Sequence, residues 1–418
     1  MRILFILHQF FPEFGGGTER VTLNLARMAQ RAGHHVHLLA CTVDPALCEG
    51  TVVDLPVAGC LRATREGLPV TFIPRSLLPA TGDIGFDVDD ALADRIAAWM
   101  EAERFDVAHV LHTMRMSSAL LAAQRCGLPY MMTLTDFFLP CARINLVTVK
   151  DELCSGPEGG DRCARECAVP PWTAEAFHGR YRQASAVLAG AALRVVPSPY
   201  VARGFEAAFP ELPVRVVPHG LDILSLTSGA NLTKRTWDGE LRLAYAGAIL
   251  GQKGLHVLLQ ALALLPGRRL SLRAMGGFWG AAGYHREIRA MVQADPRVQL
   301  MGELSSKEVF AELSQCDLFC LPSLMPESFS LVHVESAAAG LPALVSDRGA
   351  PADRVRKSGA GLAVEAGSPV AWAKAIASVL DRPEVLQEWR TGLELPFRIE
   401  EEAFFYESLW RSVRRNAS

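Results

Sequence analysis

The sequence predicts an α/β fold built from two Rossmann-like domains, and three observations carry that prediction. The strand candidates are short unbroken apolar runs, not alternating ones, as in strands buried on both faces of a parallel sheet. Amphipathic stretches with helical spacing separate them, and strand-helix alternation is the mark of α/β architecture. The same device opens each half of the chain: an apolar run, a glycine turn, then a helix. A length of 418 residues, at about 150 residues per domain, also suits two to three domains.

Ile3–Leu7 is the first apolar run. It leads into Gly15-Gly16-Gly17 and a helix expected over Glu19–Ala32, with Val21, Leu25, Met28 and Ala29 on one face and Gly33 as the stop. Val36–Ala40, Val107–Leu111, Tyr130–Leu134 and Leu193–Val196 continue the first sheet. The second half begins again with Leu241–Ala246, followed by Gly247, Lys253-Gly254 and a helix over Leu255–Leu265. Leu270–Ala274, Val298–Met301, Leu318–Leu321 and Ala343–Ser346 supply its further strands, and Ser305–Ser314 another helix. Residues 223–240 are polar with no apolar period and are read as a linker. It separates an N-terminal domain over 1–222 from a C-terminal domain over 241–398. The amphipathic stretch Glu400–Arg414 carries Phe404, Phe405, Leu409 and Trp410. Such groups need a partner surface, so residues 399–418 are expected to pack back on the N-terminal domain.

Composition narrows the function. Hydrophobic residues make up 50% and charged residues 21%, enough apolar surface to offset chain entropy. The net charge of -3 offers no global basic field for nucleic acid. No apolar run is long enough to span a bilayer, and no signal peptide is expected at the N-terminus. Ten cysteines without an export signal point to a reducing cytosol, which makes the sequon Asn231-Leu232-Thr233 coincidental. The glycine turn is not a dinucleotide fingerprint, because the third glycine position holds Arg20. Walker A, H-E-x-x-H and G-x-S-x-G patterns do not occur.

The segment Cys320–Pro351 carries the chemistry. A strand ends at Leu321, and a helix is expected from about Ser330 to Gly340. The unpaired amides of a helix N-terminus stabilise a phosphate. Glu327 precedes that helix and Glu335 lies on it, and each carboxylate can accept hydrogen bonds from neighbouring hydroxyls. Acceptors on both sides of an anion site suit a nucleotide-sugar. Lys253, between glycines in GAILGQKG, can reach a diphosphate as a point charge.

In that order and spacing the chain resembles family 4 glycosyltransferases, which have the GT-B fold: two Rossmann-like domains facing a cleft, with a C-terminal helix returning to the first. The likeness rests on FPEFGGGTERVTLNLARMAQRAGHHVHLLA, on PHGLD at Pro218–Asp222, on GAILGQKG, and on the E-x7-E pair Glu327 and Glu335. It implies that Glu335 binds the ribose, that Glu327 binds donor-sugar hydroxyls, and that Glu327 and Lys253 carry the catalysis. Backbone amides of Phe329, Ser330 and Leu331 would bind the diphosphate beside Lys253. Gly16 and Gly17 would close over the phosphates, and Gly302, Glu303 and Leu304 would border the base. The family retains anomeric configuration and generally needs no divalent metal. His109, His112 and Asp136 are candidates for the acceptor side, at the carboxyl end of the first sheet. Two positions depart from the family pattern: Ala248 replaces an arginine, for which Arg143 or Arg348 would have to substitute, and Thr135 replaces a histidine before Asp136.

The reading is therefore a retaining glycosyltransferase that takes a nucleoside diphosphate-sugar donor and a glycan or lipid-linked acceptor. It would work in the cytoplasm, in peripheral contact with the inner face of the membrane. A nucleotide-sugar epimerase or phosphorylase, and a nucleotide-sugar-binding scaffold without turnover, are the competing readings. Cys141, Cys154, Cys163 and Cys167 occupy one Gly/Pro-rich loop, and a structural zinc site or free or redox-paired thiols both fit that pattern.

Overall fold

The computed structural model describes residues 1–169, 172–228 and 237–415. They form two compact units: Met1–His219 together with the chain from Glu400 onward, and Gly220–Ile399.

The first unit is built on nine strands: β1 (Arg2–Leu7), β2 (His35–Thr42), β3 (Thr51–Val53), β4 (Cys60–Arg65), β5 (Leu68–Pro74), β6 (Val107–Val110), β7 (Tyr130–Thr133), β8 (Leu193–Val196) and β9 (Arg215–Val216). Their order across the sheet is β3-β4-β5-β2-β1-β6-β7-β8-β9. β1 lies centrally and parallel to both neighbours, with Ile3 opposite Val36 on β2 and Val107 on β6. Ile3 to Leu7 are fully buried, as the unbroken apolar run requires. The antiparallel meander β3-β4-β5 is absent from the sequence reading. β4 exposes Arg62 and Thr64 and so carries no apolar run, and its turn to β5 is marked only by Glu66-Gly67, both at positive φ.

The second unit holds β10 (Leu241–Ala246), β11 (Leu270–Met275), β12 (Val298–Gly302), β13 (Leu318–Leu321), β14 (Ala343–Ser346) and β15 (Gly361–Val364). All pairs are parallel, in the order β12-β11-β10-β13-β14-β15. In such doubly wound sheets ligands bind outside the carboxyl ends of the strands where the order reverses. That point lies between β10 and β13 here, and between β1 and β6 in the first unit.

Positions 229–236 of the predicted linker, with the sequon Asn231-Leu232-Thr233, lie outside the described residues. Ahead of them Ile223–Thr227 is helical. The Asp222 carboxylate caps it by accepting from the Ser225 amide at 2.9 Å, and Leu226 is buried with Phe310, Phe329 and Val334. So short a helix has no period to read.

The C-terminal helix, Ile399–Arg415, belongs to the first unit from Glu400 on. Tyr406, Leu409, Trp410 and Val413 are buried. Phe404 and Phe405 are not: they are 77% and 40% exposed, which corrects the expectation that all four large side chains of the amphipathic stretch face the domain. The buried face repeats as 406, 409, 410 and 413, and positions 404 and 405 fall off that stripe. The Tyr406 hydroxyl pairs with Thr133 Oγ1 at 2.8 Å, and Trp410 Nε1 donates to His109 Nδ1 at 3.3 Å.

This packing sets an acid limit on stability. Burial alone pushes His109 down to about 3. Burial, then Arg62 and Arg2, pushes His37 down to about 4. Both rings are neutral when folded and bind a proton near 6.5 when unfolded. Acid therefore favours the unfolded chain: the stability is present above about pH 6.5 and is lost as pH falls towards these folded values. By about pH 5 the loss is on the order of 2 kcal/mol for each histidine. Urea unfolding at about pH 7.5 and about pH 5 should show a lower midpoint in acid, and equal midpoints would contradict this account.

Candidate functional site

In the second unit the reversal point gathers Lys253 and Glu327. Lys253 ends the turn Gly251–Lys253 that follows β10. The next residue, Gly254, has φ +72°, and a Cβ there would stand 2.0 Å from the Pro322 carbonyl oxygen. That close approach seats the lysine loop on the exit of β13. Lys253 Nζ lies 2.6 Å from Glu327 Oε1, which also accepts from Ser323 Oγ at 2.6 Å. The sequence reading assigned Lys253 and Glu327 separate tasks, and the structure joins them. The Glu327 backbone is fixed as well: its carbonyl accepts from the Ala350 amide at 2.8 Å, and a Cβ on Gly349 would meet its nitrogen at 2.5 Å.

Phe329 is buried, and Ser330 sits at φ 63°, turning the chain into the helix Leu331–Ala338. No side chain caps that helix, so its first amides stay open to an anion. Arg354 braces the turn from behind: it stacks on the Phe329 ring at 4.9 Å, donates to the Phe329 carbonyl at 3.3 Å and contacts His333 Nδ1 at 2.9 Å. Glu335 is buried on the following turn. The ends of β10, β11 and β12 interlock, with Gly247 donating to Met275 O at 3.0 Å and Gly276 to Gly302 O at 2.7 Å. Gly302 and Glu303 are exposed beyond that lock, and Leu304 packs below it with Met275. Arg348 donates to the Leu324 carbonyl at 2.9 Å, on the loop that carries Glu327. Arg143 instead bonds the Val147 carbonyl within the first unit at 3.0 Å.

In the first unit Gly16 and Gly17 are exposed and open the helix Gly17–Arg31. His112 and Asp136 meet at the carboxyl ends of β6 and β7, with Nε2 2.9 Å from Oδ2. His112 Nδ1 accepts from the Met114 amide at 3.1 Å, so the proton of a neutral ring sits on Nε2 and is donated to Asp136. Asp136 also accepts from the Phe138 amide at 2.9 Å. Its carboxyl is held below the usual range: burial opposes this, but His112, the Phe138 amide and Arg180 outweigh it. Thr135 bonds Thr18 across the edge at 2.8 Å. His109 requires correction as an acceptor-side candidate. It is fully buried under the C-terminal helix, bonded to Thr133 at 2.8 Å, because its position within β6 points it into the core. Two polar residues at the same edge escaped the sequence reading, His8 after β1 and Glu19 in the first helical turn. Their signal was position alone, a histidine ending an apolar run and a glutamate just past the glycine turn.

The sequence profile described as glycosyltransferase family 4 matches residues 15–223, half of the chain. The profile described as glycosyl transferases group 1 matches residues 233–392. The chain belongs to glycosyltransferase family 4.

Among family relatives, a D-inositol 3-phosphate glycosyltransferase from Nocardia farcinica is 31% identical over 193 residues, 43% of this chain and 42% of its own length. A phosphatidyl-myo-inositol mannosyltransferase from Mycobacterium leprae is 30% identical over 178 residues, 41% of this chain and 45% of its own length. The match thus spans less than half of either relative. Sucrose-phosphate synthase from Thermosynechococcus elongatus superposes with a TM-score of 0.71 at 18% identity, covering 100% of both chains. Anabaena HepE in complex with UDP and glucose gives 0.67 at 16% identity, covering 99% of this chain and 100% of its own. At such identities the likeness shows the fold, which is GT-B.

The cysteine loop of this family 4 chain closes on itself. Cys141, Cys154, Cys163 and Cys167 line one small cavity with Pro157 and Phe177. Burial, then the thiols of Cys141, Cys154 and Cys167, pushes Cys163 up to about 12. All four are free thiols. Among the described residues no three His, Cys, Asp or Glu side chains are placed to hold one metal ion.

Proposed function

We propose that this family 4 member is a retaining glycosyltransferase that moves a sugar from a nucleoside diphosphate-sugar to a hydroxyl of a glycan or lipid-linked acceptor. The observation that carries the reading is the Lys253–Glu327 pair at the reversal point of the second sheet, beside a helix N-terminus that no side chain caps. A diphosphate placed there meets the open amides of the first turn and the ammonium of Lys253. Both strengthen as the glycosidic oxygen leaves and negative charge grows, which supports departure without a divalent ion. Glu327, released from part of its bond to Lys253, accepts from donor-sugar hydroxyls, and Glu335 accepts from the ribose. Gly302, Glu303 and Leu304 border the base.

UDP is the diphosphate to test first, since HepE is described with UDP and with UDP-glucose bound. No helix among the described residues is long and apolar enough to cross a membrane. The proposed place of action is the cytoplasm, where a lipid-linked acceptor would be met at the membrane surface. Calorimetric titration of UDP, GDP, ADP, CDP and dTDP without metal tests the donor site. One diphosphate should bind selectively, and Glu335→Ala should weaken it about tenfold or more, as loss of a charge-assisted hydrogen bond does. A folded protein that binds none of them would overturn the proposal. The Thr135–Thr18 bond favours one second reading, a nucleotide-sugar-binding member without turnover, because no titratable group stands where the family pattern has histidine. Selective binding without transfer to any acceptor would support that reading.

A further inference from the structure

The carboxyl edge of the first sheet holds two buried polar atoms that nothing in the structure satisfies. They are His8 Nδ1 and Glu19 Oε1. Both residues are more than nine-tenths buried, at 8% and 2% exposure. Their nearest mutual approach, His8 Nε2 to Glu19 Oε1, is 3.7 Å, too long for a hydrogen bond. His8 packs against His112 with the rings tilted by 32° and their centroids 3.9 Å apart, and His112 is bonded to Asp136. The four side chains come from different elements: the end of β1, the first turn of Gly17–Arg31, the end of β6 and the end of β7. They meet at the reversal point of the sheet, where a ligand site belongs.

Leaving a buried donor or acceptor unpaired is costly, and each such atom calls for a partner, whether protein, water or ligand. The chemistry of the gap selects what fills it. Burial, with His112 and Arg115 nearby, holds His8 well below its usual pKa, so its ring is neutral and offers one donor and one acceptor. A carboxylate oxygen offers only acceptance. A hydroxyl both donates and accepts, so a polyol can give one hydroxyl to Glu19 Oε1 and a neighbouring one to His8 Nδ1. A fully ionised phosphate or carboxylate brings acceptors alone and would leave Glu19 Oε1 without a donor. The turn above the pair is Gly15-Gly16-Gly17, exposed to solvent and free of side chains, with the second carboxylate oxygen of Glu19 2.8 Å from where a Gly16 Cβ would lie.

We propose that His8 and Glu19, backed by His112 and Asp136, bind neighbouring hydroxyls of a neutral polyol or sugar, the acceptor of the transfer. This rests on the glycosyltransferase reading and names the chemistry of its acceptor. It also separates the roles of the two histidines at this edge: His8 touches the acceptor, and His112 positions His8 by stacking while tied to Asp136.

Saturation-transfer NMR on the full chain tests it. The probes are methyl α-D-glucopyranoside, methyl α-D-mannopyranoside and myo-inositol, with glucose 1-phosphate as the anionic counterpart. The variants are His8→Phe, which keeps the ring stack and removes both nitrogens, and Glu19→Gln, which keeps the volume. At least one neutral probe should bind the parent chain, and each variant should weaken that binding about tenfold. Absence of binding by every neutral probe, preference for glucose 1-phosphate, or parent-like binding in folded His8→Phe would each overturn the proposal. Should His8→Phe fail to fold, Glu19→Gln decides in its place. A parallel UDP titration separates the two readings. Loss of UDP binding with neutral-probe binding intact counts against the donor function alone, and the converse counts against the acceptor site alone.

Discussion

Trp410→Ala should lower the stability of the first unit by about 4 kcal/mol, in the range of buried aromatic truncations. The indole is 1% exposed and fully enclosed by the first unit. It meets Phe5 edge-on at 6.0 Å, His109 at 5.9 Å and Tyr406 at 6.0 Å. Truncation opens a cavity against the central strand β1 and strips His109 Nδ1 of its donor. The melting midpoint should fall by roughly 8 to 16 °C for a unit of this size. Trp410→Phe refills most of the volume and should cost less than half as much. Calorimetry on the full chain reads both. A midpoint for Trp410→Ala within about 2 °C of the parent would mean that the C-terminal helix contributes little to this unit.

Lys253→Ala should reduce turnover by about a hundred- to a thousandfold, the usual effect of removing one group that stabilises developing charge. The effect has two sources. One is loss of the ammonium beside the leaving diphosphate. The other is Glu327, whose side chain is 12% exposed and would be left charged without its partner at 2.6 Å. Coupling follows from that shared contact. Lys253→Ala and Glu327→Ala together should cost less than the sum of the two single changes, by about 1 to 3 kcal/mol in transition-state stabilisation. Steady-state kinetics on the four proteins of the cycle measures this. Strict additivity would show that the pair does not act as a unit during the reaction.

The strands of both sheets that pack on two faces were legible in the sequence because burial on both sides leaves an unbroken apolar run. Leu193–Val196, Leu241–Ala246, Leu318–Leu321 and Ala343–Ser346 have the bounds read from composition alone. The β3-β5 meander was not legible, because strands with one solvated face dilute that run with arginine and threonine. Site residues followed the same division. The backbone devices, the turn at Phe329-Ser330 and the glycines around Lys253, were readable as types at a spacing. Side-chain pairing was not. Nothing in the sequence separates His109, sealed under Trp410, from His112, three residues on and bonded to Asp136, because a place within the strand or two residues past its end decides which way a ring faces. His8 and Glu19 stand out only when unpaired atoms can be counted in space.

The return of the C-terminal helix to the first unit has a consequence for how the chain is made. Synthesis runs from the N-terminus, and domains ordinarily fold as they emerge. Here the first unit lacks Tyr406, Leu409 and Trp410 until the whole of Gly220–Ile399 has been translated. At about 5 to 20 residues per second, that interval of roughly 180 residues lasts about 10 to 40 s. Throughout it the apolar face around Phe5 and His109 is open on the ribosome. The unit begun first is closed last, and a chaperone that shields that face has its window of action set by the length of the second unit.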